Sequence, residues 1–226
     1  MSHAEFDQQA SVIADQIPSL PAADRIAAAC RGSGNPAALT WLAEGLRLEE
    51  TTTVIDLGAG LGGPSAWLYK RYGCFCINLE VAPRAAAANI FSTPTMCGCA
   101  EQTPIRSNSI DVALLLGVLS VVAHTDVVLS EARRIAHRLG VLDYCSTTSS
   151  TAEVGGSTFV AADDLRKQVC AGGWNIIQMT AITVPPPSTW TDAAELIETE
   201  PEPTESEVIA AIHAGVIAPV MLQASR

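Results

Sequence analysis

Hydrophobic and polar positions along the chain fall into two alternating kinds of segment. Short apolar or β-branched runs, such as Thr51–Leu57 and Asp111–Leu116, are typical of buried strands. Segments with apolar residues at helical spacing lie between them, as in Thr125–Leu139. This alternation predicts an α/β fold, a Rossmann-like and mostly parallel seven-stranded sheet with helices on both faces.

The predicted elements follow one another in a regular order. The predicted strands are Thr51–Leu57, Cys74–Glu80, Thr95–Cys99, Asp111–Leu116, Val141–Cys145, Trp174–Ile182 and Gly215–Leu222. The predicted helices are Ala37–Leu48, Pro64–Tyr72, Pro83–Phe91, Thr125–Leu139 and Ala161–Ala171.

We interpret the chain, residues 1–226, as a single domain with four parts. A helical segment, 1–50, precedes the core of the sheet, 51–185. An acidic excursion, 186–214, is expected to form a cap near the carboxyl edge of the sheet, and 215–226 supplies the last strand.

Charge and composition indicate which kinds of molecule the protein can bind. The 226 residues are 48% hydrophobic with a formal net charge of −11, and they include no Lys/Arg cluster, so we expect no nucleic-acid partner. Seven acids and no cation lie between Asp192 and Glu207, which predicts either a solvated face or a lid that attracts cationic substrates.

No pattern in the sequence predicts export or membrane insertion. The first residues lack a basic segment followed by an apolar one, as an export signal would require. The longest apolar run, Val112–Ala123, is twelve residues, shorter than the roughly 20 of a membrane helix. We therefore expect a cytoplasmic protein with no membrane partner.

Seven cysteines include two closely spaced pairs, Cys74-x-Cys76 and Cys97-x-Cys99. Zinc sites usually space their ligands more widely, and both pairs lie in apolar, strand-like segments. We expect these thiols to be small buried hydrophobes and predict no metal site.

The stretch VIDLGAGLGG, which starts at Val54, permits two interpretations. Gly58-x-Gly60-x-Gly62 would suit the adenosyl-methionine of a methyltransferase, whereas Gly58-x-Gly60-x-x-Gly63 would suit a dinucleotide pyrophosphate. Either loop would follow a strand and open a helix, where glycines allow close approach of backbone N–H groups to a ligand.

Two acids at predicted strand ends belong to the same candidate site. Asp56 lies two residues before Gly58, where a buried carboxylate would need a cationic partner such as an ammonium group. Glu80 ends the second strand, and a carboxylate there can accept both hydroxyls of a ribose. Glu80 fits either ligand, so it leaves both interpretations open.

Four segments together resemble the class I S-adenosylmethionine-dependent methyltransferases. VIDLGAGLGG resembles the motif hh(D/E)hGxGxG, and LEVAP resembles the acid-ending second strand. CGCAEQTPIRSNSIDVALLLGVL and EARRIAHRLGVLDYCS are similar to later segments of that family. GGPS and GSGNPAALTWL resemble the small-molecule branch, which includes sarcosine, dimethylglycine and quinone methyltransferases.

The resemblance implies roles for individual residues. It implies that S-adenosylmethionine is the cofactor, that GxGxG is the operative motif and that Gly63 serves helix–strand packing. The implied cofactor-binding residues are Asp56, Gly58, Ala59, Gly60 and Gly62 for the methionine end, Glu80 for the ribose, Val81, Cys99, Ala100 and Glu101 around adenine, and Leu116 and Gly117 for a carbonyl to the amino group.

Two positions depart from the family pattern. Cys99 stands where an Asp commonly receives the adenine amino group, so that hydrogen bond would be lost or moved to Glu101. The family's Pro-Gly-Gly turn is replaced by His137–Gly140, which we expect to alter a surface turn rather than the chemistry.

Candidate catalytic residues lie after the fourth predicted strand and at the end of the fifth. His124 is predicted either as a general base or as a cap of the next helix. Asp143 is predicted to accept a proton and Tyr144 to orient substrate. The alternative is that both are hydrogen-bonded residues at the end of a strand, without a catalytic role. Trp190 is the tryptophan we keep as a pocket candidate. The polar run Ser146–Thr151, followed by Gly155-Gly156, is expected to close over substrate.

The sequence therefore predicts an enzyme that methylates a nitrogen, oxygen or carbon atom of a small-molecule acceptor. One alternative is an inactive cofactor-binding protein, motivated by Cys99 and the lack of an evident base. Another is an NAD-dependent oxidoreductase, which the absence of any Tyr-x-x-x-Lys pair disfavours for the short-chain class.

Overall fold

The computed structural model of the protein describes residues 3–30, 34–181 and 203–226. Its strands are β1 Thr53–Leu57, β2 Phe75–Glu80, β3 Thr95–Cys97, β4 Ile110–Leu116, β5 Ala136–Ser146, β6 Ala152–Val154, β7 Ser157–Phe159, β8 Asn175–Ala181 and β9 Ile217–Ser225. Its helices are α1 His3–Gln16, α2 Arg25–Ala29, α3 Pro36–Gly45, α4 Gly63–Tyr72, α5 Pro83–Ala88, α6 Thr125–Ile135, α7 Ala162–Ala171 and α8 Pro203–His213, with a 3₁₀ turn at Ile17–Ser19.

Seven of the strands form one sheet in the order β3-β2-β1-β4-β5-β9-β8. β1 to β5 are parallel, and β9 inserts antiparallel between β5 and β8. The predicted fold class, a mostly parallel Rossmann-like sheet between helices, is confirmed. Strand order reverses between β1 and β4, and ligands bind at such a point outside the carboxyl ends of the strands.

Side chains at alternating positions along each strand form a separate core on each face of the sheet. On one face, Ile55, Leu115 and Val141 pack with residues of α6 and α7. On the other face, Val54 and Leu114 pack with the apolar side of α3 and with α4. The period of two along each strand thus decides which face a side chain serves.

The boundary between α6 and β5 differs from the prediction. The helix ends at Ile135 rather than Leu139, and Ala136 is already extended (φ −117°, ψ 158°) and paired with Ile110. The surface turn predicted at His137–Gly140 is therefore wrong, because these residues lie inside β5. Gly140 is buried there, in contact with the side chains on α3 and β4.

Smaller differences also have local causes. α5 stops at Ala88 rather than Phe91, because Asn89 is left-handed (φ 35°). Trp174 precedes β8 instead of starting it, and its buried indole N–H donates to the carbonyl of Leu129 (3.1 Å). Ile182, the predicted end of that strand, lies outside the described residues.

The first helices cover the glycine-loop end of the sheet. Apolar residues of α1 and α2 pack against Leu61, Ala82 and Ala85. Asp7 of α1 accepts a hydrogen bond from the backbone N–H of Arg84 (2.7 Å), at the first turn of α5. Residues 31–33 of the predicted turn between α2 and α3 lie outside the described part of the chain.

The region assigned to the cap is described in part. Residues 182–202, which include Trp190 and most of the acidic run, lie outside the described residues. α8 packs its Val208, Ala211 and Ile212 against a hairpin formed by β6 and β7. Gly155 and Gly156, expected in a closing loop, form the turn of that hairpin.

The two cysteine pairs differ from each other. Cys74 and Cys76 are buried with their sulfur atoms 3.7 Å apart, as predicted for core residues. Cys97 and Cys99 are exposed, so the prediction of burial is wrong for this pair. Among the described strands β3 is at the edge of the sheet, so no described strand covers Cys97 or the chain that follows it.

Across the described ranges, no helix is long and apolar enough to span a bilayer.

Candidate functional site

A glycine loop joins β1 to α4 at the carboxyl edge of the sheet. Gly58, Gly60 and Gly62 all have positive φ (82°, 54° and 78°), a region that favours glycine. The N–H groups of Gly58 and Ala59 both donate to the carbonyl of Leu79 (2.8 and 3.1 Å), which ties the loop to β2. The loop therefore has one defined shape, set by its glycines and by the neighbouring strand.

Gly63 permits close packing where α4 begins. A Cβ at this position would lie 2.6 Å from backbone atoms of Ala29 and Cys30, at the end of α2. The residue thus serves packing, as predicted, but these nearest contacts are with the end of a helix rather than with a strand.

Glu80 connects the loop to the turn after β2. The buried carboxylate accepts a hydrogen bond from the N–H of Gly60 (2.7 Å) and another from the N–H of Ala82 (2.9 Å). Each carboxylate oxygen can accept more than one hydrogen bond, so these contacts leave capacity for ligand hydroxyls.

Asp56 lies beneath the same loop and is 1% exposed. Neither of its carboxyl oxygens has a hydrogen-bond partner among the described residues. Burial, and secondly the nearby carboxylate of Glu80, raise the pKa of Asp56 to about 7. The hydroxyl of Ser65 lies close enough to oppose this rise, although its oxygen makes no hydrogen bond to any described residue. A buried acid without a partner is costly, which makes this position a candidate for a cationic ligand group.

The residues implied around adenine lie after β2 and β3. Val81 is 37% exposed. Ala100 and Glu101 are half-buried, and Cys99 is exposed. Cys97 pairs in register with Glu80, so these positions share one end of the sheet.

Leu116 ends β4, and the loop that follows starts at Gly117. Gly117 has positive φ (75°), and its N–H donates to the carbonyl of Leu142 on β5 (2.7 Å). This bond fixes the loop against the neighbouring strand, near the point where strand order reverses.

Asp143 and Tyr144 are consecutive on β5 and therefore point to opposite faces of the sheet. The buried carboxyl of Asp143 accepts hydrogen bonds from the N–H groups of Ser120 (3.1 Å) and Tyr144 (2.8 Å). Burial raises its pKa, and these bonds oppose the rise. Asp143 thus anchors the loop after β4.

Tyr144 faces the hairpin and α8. It packs against a small apolar cluster formed by Phe159, Ala211 and Ile217. This cluster forms an apolar wall at the carboxyl end of β5. The structure thus separates Asp143 from Tyr144, although the sequence grouped them.

His124 is exposed at the start of α6. Its backbone carbonyl accepts from the N–H groups of Val127 and Val128, whereas its imidazole makes no capping hydrogen bond. His124 thus occupies the predicted cap position of α6 through its backbone alone, and its side chain is exposed.

Sequence reasoning missed Asn78 and Ser65. Both are buried, and the side-chain oxygen of each lacks a hydrogen-bond partner among the described residues. A signal for Asn78 was present, because a polar residue two positions before Glu80 in a strand faces the same side as Glu80. Within the described residues, no group of three His, Cys, Asp or Glu side chains is placed to hold a metal ion.

Comparison with known families and structures agrees with this geometry. Residues 55–142 match the family model described as "Methyltransferase domain". A comparison with the sequences of curated proteins finds no match.

Three solved structures illustrate the similarity of fold. The (4+2)-cyclase SpnF is 15% identical with a TM-score of 0.76, covering 100% of this chain and 96% of its own. Geranyl diphosphate C-methyltransferase from Streptomyces coelicolor A3(2), in complex with Mg²⁺, geranyl diphosphate and S-adenosyl-L-homocysteine, is 14% identical with a TM-score of 0.66, covering 84% and 78%. A putative sarcosine dimethylglycine methyltransferase from Galdieria sulphuraria is 16% identical with a TM-score of 0.63, covering 84% and 85%. Residues 55–142 are thus similar to a methyltransferase domain, for which S-adenosylmethionine is the methyl-donating cofactor.

Proposed function

We propose that the protein transfers the methyl group of S-adenosylmethionine to a nitrogen, oxygen or carbon atom of a small-molecule acceptor. The observation that carries this proposal is the glycine loop, which is held by Glu80 and follows closely in sequence after Asp56, a buried acid with no partner among the described residues. The loop lies inside the segment that matches the methyltransferase domain.

The residues present fit such a cofactor. An ammonium group would supply the cation that the buried Asp56 lacks, and the backbone of the loop can approach the methionine end closely. We assign the methionine end to Asp56, Gly58, Ala59, Gly60 and Gly62, the ribose to Glu80, the adenine to Val81, Cys99, Ala100 and Glu101, and the amino group also to the carbonyls of Leu116 and Gly117.

The cofactor, when bound, supplies a methyl group that is already activated by its sulfonium. The chain then needs to align the acceptor and exclude water. The apolar wall at Tyr144 is suited to both tasks, and His124 is the candidate base for an acceptor that must lose a proton. Asp143 is committed to the loop after β4, so we assign it positioning rather than proton transfer.

The acceptor is proposed only as a class. Geranyl diphosphate is bound by one structural neighbour, and another is described as a sarcosine dimethylglycine methyltransferase. We propose a small acceptor of this general kind, handled in the cytoplasm without nucleic acid or membrane. The sarcosine or quinone branch indicated by GGPS and GSGNPAALTWL stays a prediction.

Calorimetric titration tests the proposed cofactor directly. S-adenosylhomocysteine is expected to bind at micromolar concentration, and NAD and NADP are not. Asp56→Ala should abolish this binding, whereas Asp163→Ala, an exposed acid on α7, should leave it unchanged. Dinucleotide binding alone would overturn the proposal in favour of an oxidoreductase.

A second candidate function is an enzyme of this fold that transfers no methyl group. The comparison with SpnF favours it, because that cyclase covers 100% of this chain with a TM-score of 0.76. Incubation with methyl-labelled S-adenosylmethionine and a broad acceptor panel separates the two. Labelled product supports methyl transfer, whereas cofactor binding without any labelled product supports the second candidate or an inactive binding protein.

A further inference from the structure

Three polar side chains lie in a row across β1, β2 and β3, directly under the glycine loop. Asp56 pairs in register with Asn78, and Asn78 pairs in register with Thr95. Residues in register on parallel strands share a face, so the three side chains are neighbours. Asp56 and Asn78 are buried, and Thr95 is half-buried.

The hydrogen bonds in this row have a fixed direction. The hydroxyl of Thr95 donates its single proton to the carbonyl of Thr93 (2.8 Å), which can only accept. Thr95 must therefore accept from the side-chain amide N–H of Asn78, whose nitrogen lies 3.4 Å away. With the amide nitrogen given to Thr95, Oδ1 of Asn78 is left without a donor among the described residues, on a side chain in register with Asp56 of β1.

We propose that Asn78 and Thr95 are positioning residues that hold Asp56 protonated in the free protein, and that cofactor binding expels this proton. The inference rests on the proposed function, since it places the cofactor's ammonium group at Asp56. In the free protein the carboxyl O–H donates toward Oδ1 of Asn78, which gives that buried oxygen a partner.

The other groups that face Asp56 favour the same protonation state. Glu80 and Cys76 face it from β2, and Cys30 faces it from the end of α2. Each of these is either neutral or negative, and among the described residues no cation opposes them. Burial acts in the same direction.

Cofactor binding would reverse this balance. An ammonium group beside Asp56 stabilises the carboxylate, so the O–H bond breaks and the proton leaves to the buffer. A half-turn of the Asn78 amide would then present its N–H group to the carboxylate and release Thr95. Binding and proton release are thereby coupled through one amide.

The test measures protons released when S-adenosylhomocysteine binds. Calorimetry in two buffers of different ionisation enthalpy should give about half a proton per site at pH 7, for a group that titrates near that pH. The dissociation constant should fall about eightfold from about pH 6 to about pH 7.5, a range below the titration of the ligand's own amino group. Carbon NMR of the free protein should show the Asp56 carboxyl titrating near neutrality.

Thr95→Val tests the part played by the row itself. Valine has the shape of threonine but cannot accept, so the Asn78 amide is free to turn toward Asp56 and favour the carboxylate. The Asp56 titration in the free variant should move down by about one pH unit, with less proton release at pH 7. Thr53→Val is the matched control, because Thr53 is also half-buried but lies at the start of β1, away from the carboxyl end where Asp56 is found. Its Asp56 titration and proton release should match those of the unchanged protein.

The outcomes are distinguishable. Normal binding with no buffer dependence, or an Asp56 carboxyl that titrates near its ordinary value, overturns proton release. A Thr95→Val titration identical to that of Thr53→Val overturns the role of Asn78 and Thr95. No binding at any pH contradicts the proposed function, and the inference fails with it.

Discussion

The carboxyl group of Asp56 opposes folding wherever the pH would ionise it in water. Its pKa rises from an ordinary value of 3.8 to about 7, because the group is buried and, secondly, because the carboxylate of Glu80 lies nearby. Below the ordinary value both folded and unfolded chains hold the proton, and this group costs nothing. Between the two values only the unfolded chain loses it, so stability declines as the pH rises toward 7 and stays low above it.

Asp56→Asn should therefore stabilise the free protein while it weakens cofactor binding. A shift of this size corresponds to on the order of 4 kcal/mol at about pH 8, as an upper bound, and to much less near pH 4. Urea denaturation at both pH values measures the difference. Asp163→Asn should show no such dependence, and equal stability of Asp56→Asn and the unchanged protein at pH 8 would contradict the assignment.

The pKa of Glu131 is shifted in the opposite direction to that of Asp56. Its carboxylate accepts from the guanidinium of Arg134 (2.6 Å) and from the N–H and hydroxyl of Thr103 (2.6 and 2.8 Å). The hydrogen bond from Arg134, first among these contacts, lowers the pKa of Glu131 to about 2. This carboxylate joins α6 to the segment before β4, and its contribution is present above its ordinary pKa and lost as the pH falls toward 2.

Glu131→Gln should lower the free energy of unfolding by about 2 kcal/mol at neutral pH, since charge-assisted bonds are lost. The loss should shrink as the pH approaches 2. Denaturation curves at several pH values check this, with the exposed Glu44→Gln as control. A loss independent of pH would mean that packing, not charge, explains the effect.

At the scale of elements, β5 is closely packed on the face that α3 covers. A Cβ at Gly140 would lie 2.7 Å from Leu114 and 2.8 Å from Leu46. The glycine is thus required by the close approach of β5 to its neighbours.

Gly140→Ala should cost about 1 to 3 kcal/mol through overpacking. The cost should be smaller when Leu46 is first shortened to Ala, because the added methyl group then has space. A double-mutant cycle of unfolding free energies measures this coupling. Additive effects would show that the methyl group does not meet Leu46.

The sequence predicted best those strands and helices whose hydrophobic pattern is strongest. Continuous apolar runs predicted all seven strands of the main sheet, and the glycine motif located the loop that follows β1. The α6–β5 boundary could not be read, because Ala136 suits a helix by itself and becomes extended only through its pairing with Ile110. The β6–β7 hairpin was missed because strands of three residues carry too little pattern.

The candidate site was predictable where a strand end marks it, as at Asp56 and Glu80. The opposite orientations of Asp143 and Tyr144 follow from the period of two and could have been stated in advance. The direction of the hydrogen bonds between Asp56, Asn78 and Thr95 could not be predicted, because it depends on which atom each hydroxyl and amide group faces. Cys97 was misjudged because edge position depends on sheet order, which local sequence does not reveal.

At the scale of the whole molecule, charge is unevenly distributed. Between Leu139 and Ser225 the only cations are Arg166 and Lys167, both on α7. The loop after β4, the β6–β7 hairpin and α8 contain no Lys or Arg. The proposed acceptor side therefore lies in a region of negative potential.

This charge distribution should distinguish the cofactor from its product. S-adenosylmethionine carries one more positive charge than S-adenosylhomocysteine, so its affinity should weaken more when salt screens the protein's charge. We expect a loss of about two- to fivefold between about 0.05 and 0.5 M salt for the sulfonium, and little change for the product. Parallel titrations measure both, and equal salt dependence would show that the field does not reach the site.

The position of β9 has a consequence for how the protein is made. β9 follows every other strand in the described order, yet it lies inside the sheet, paired with β5 on one side and β8 on the other. β8 is synthesised before β9, so the strand with which β8 pairs is not yet present. The edge of β5 that β9 will later cover stays open in the meantime. An open apolar edge of this kind recruits other chains. The nascent protein is thus most prone to aggregate in the interval before its last strand emerges, and slow translation there would lengthen the exposure.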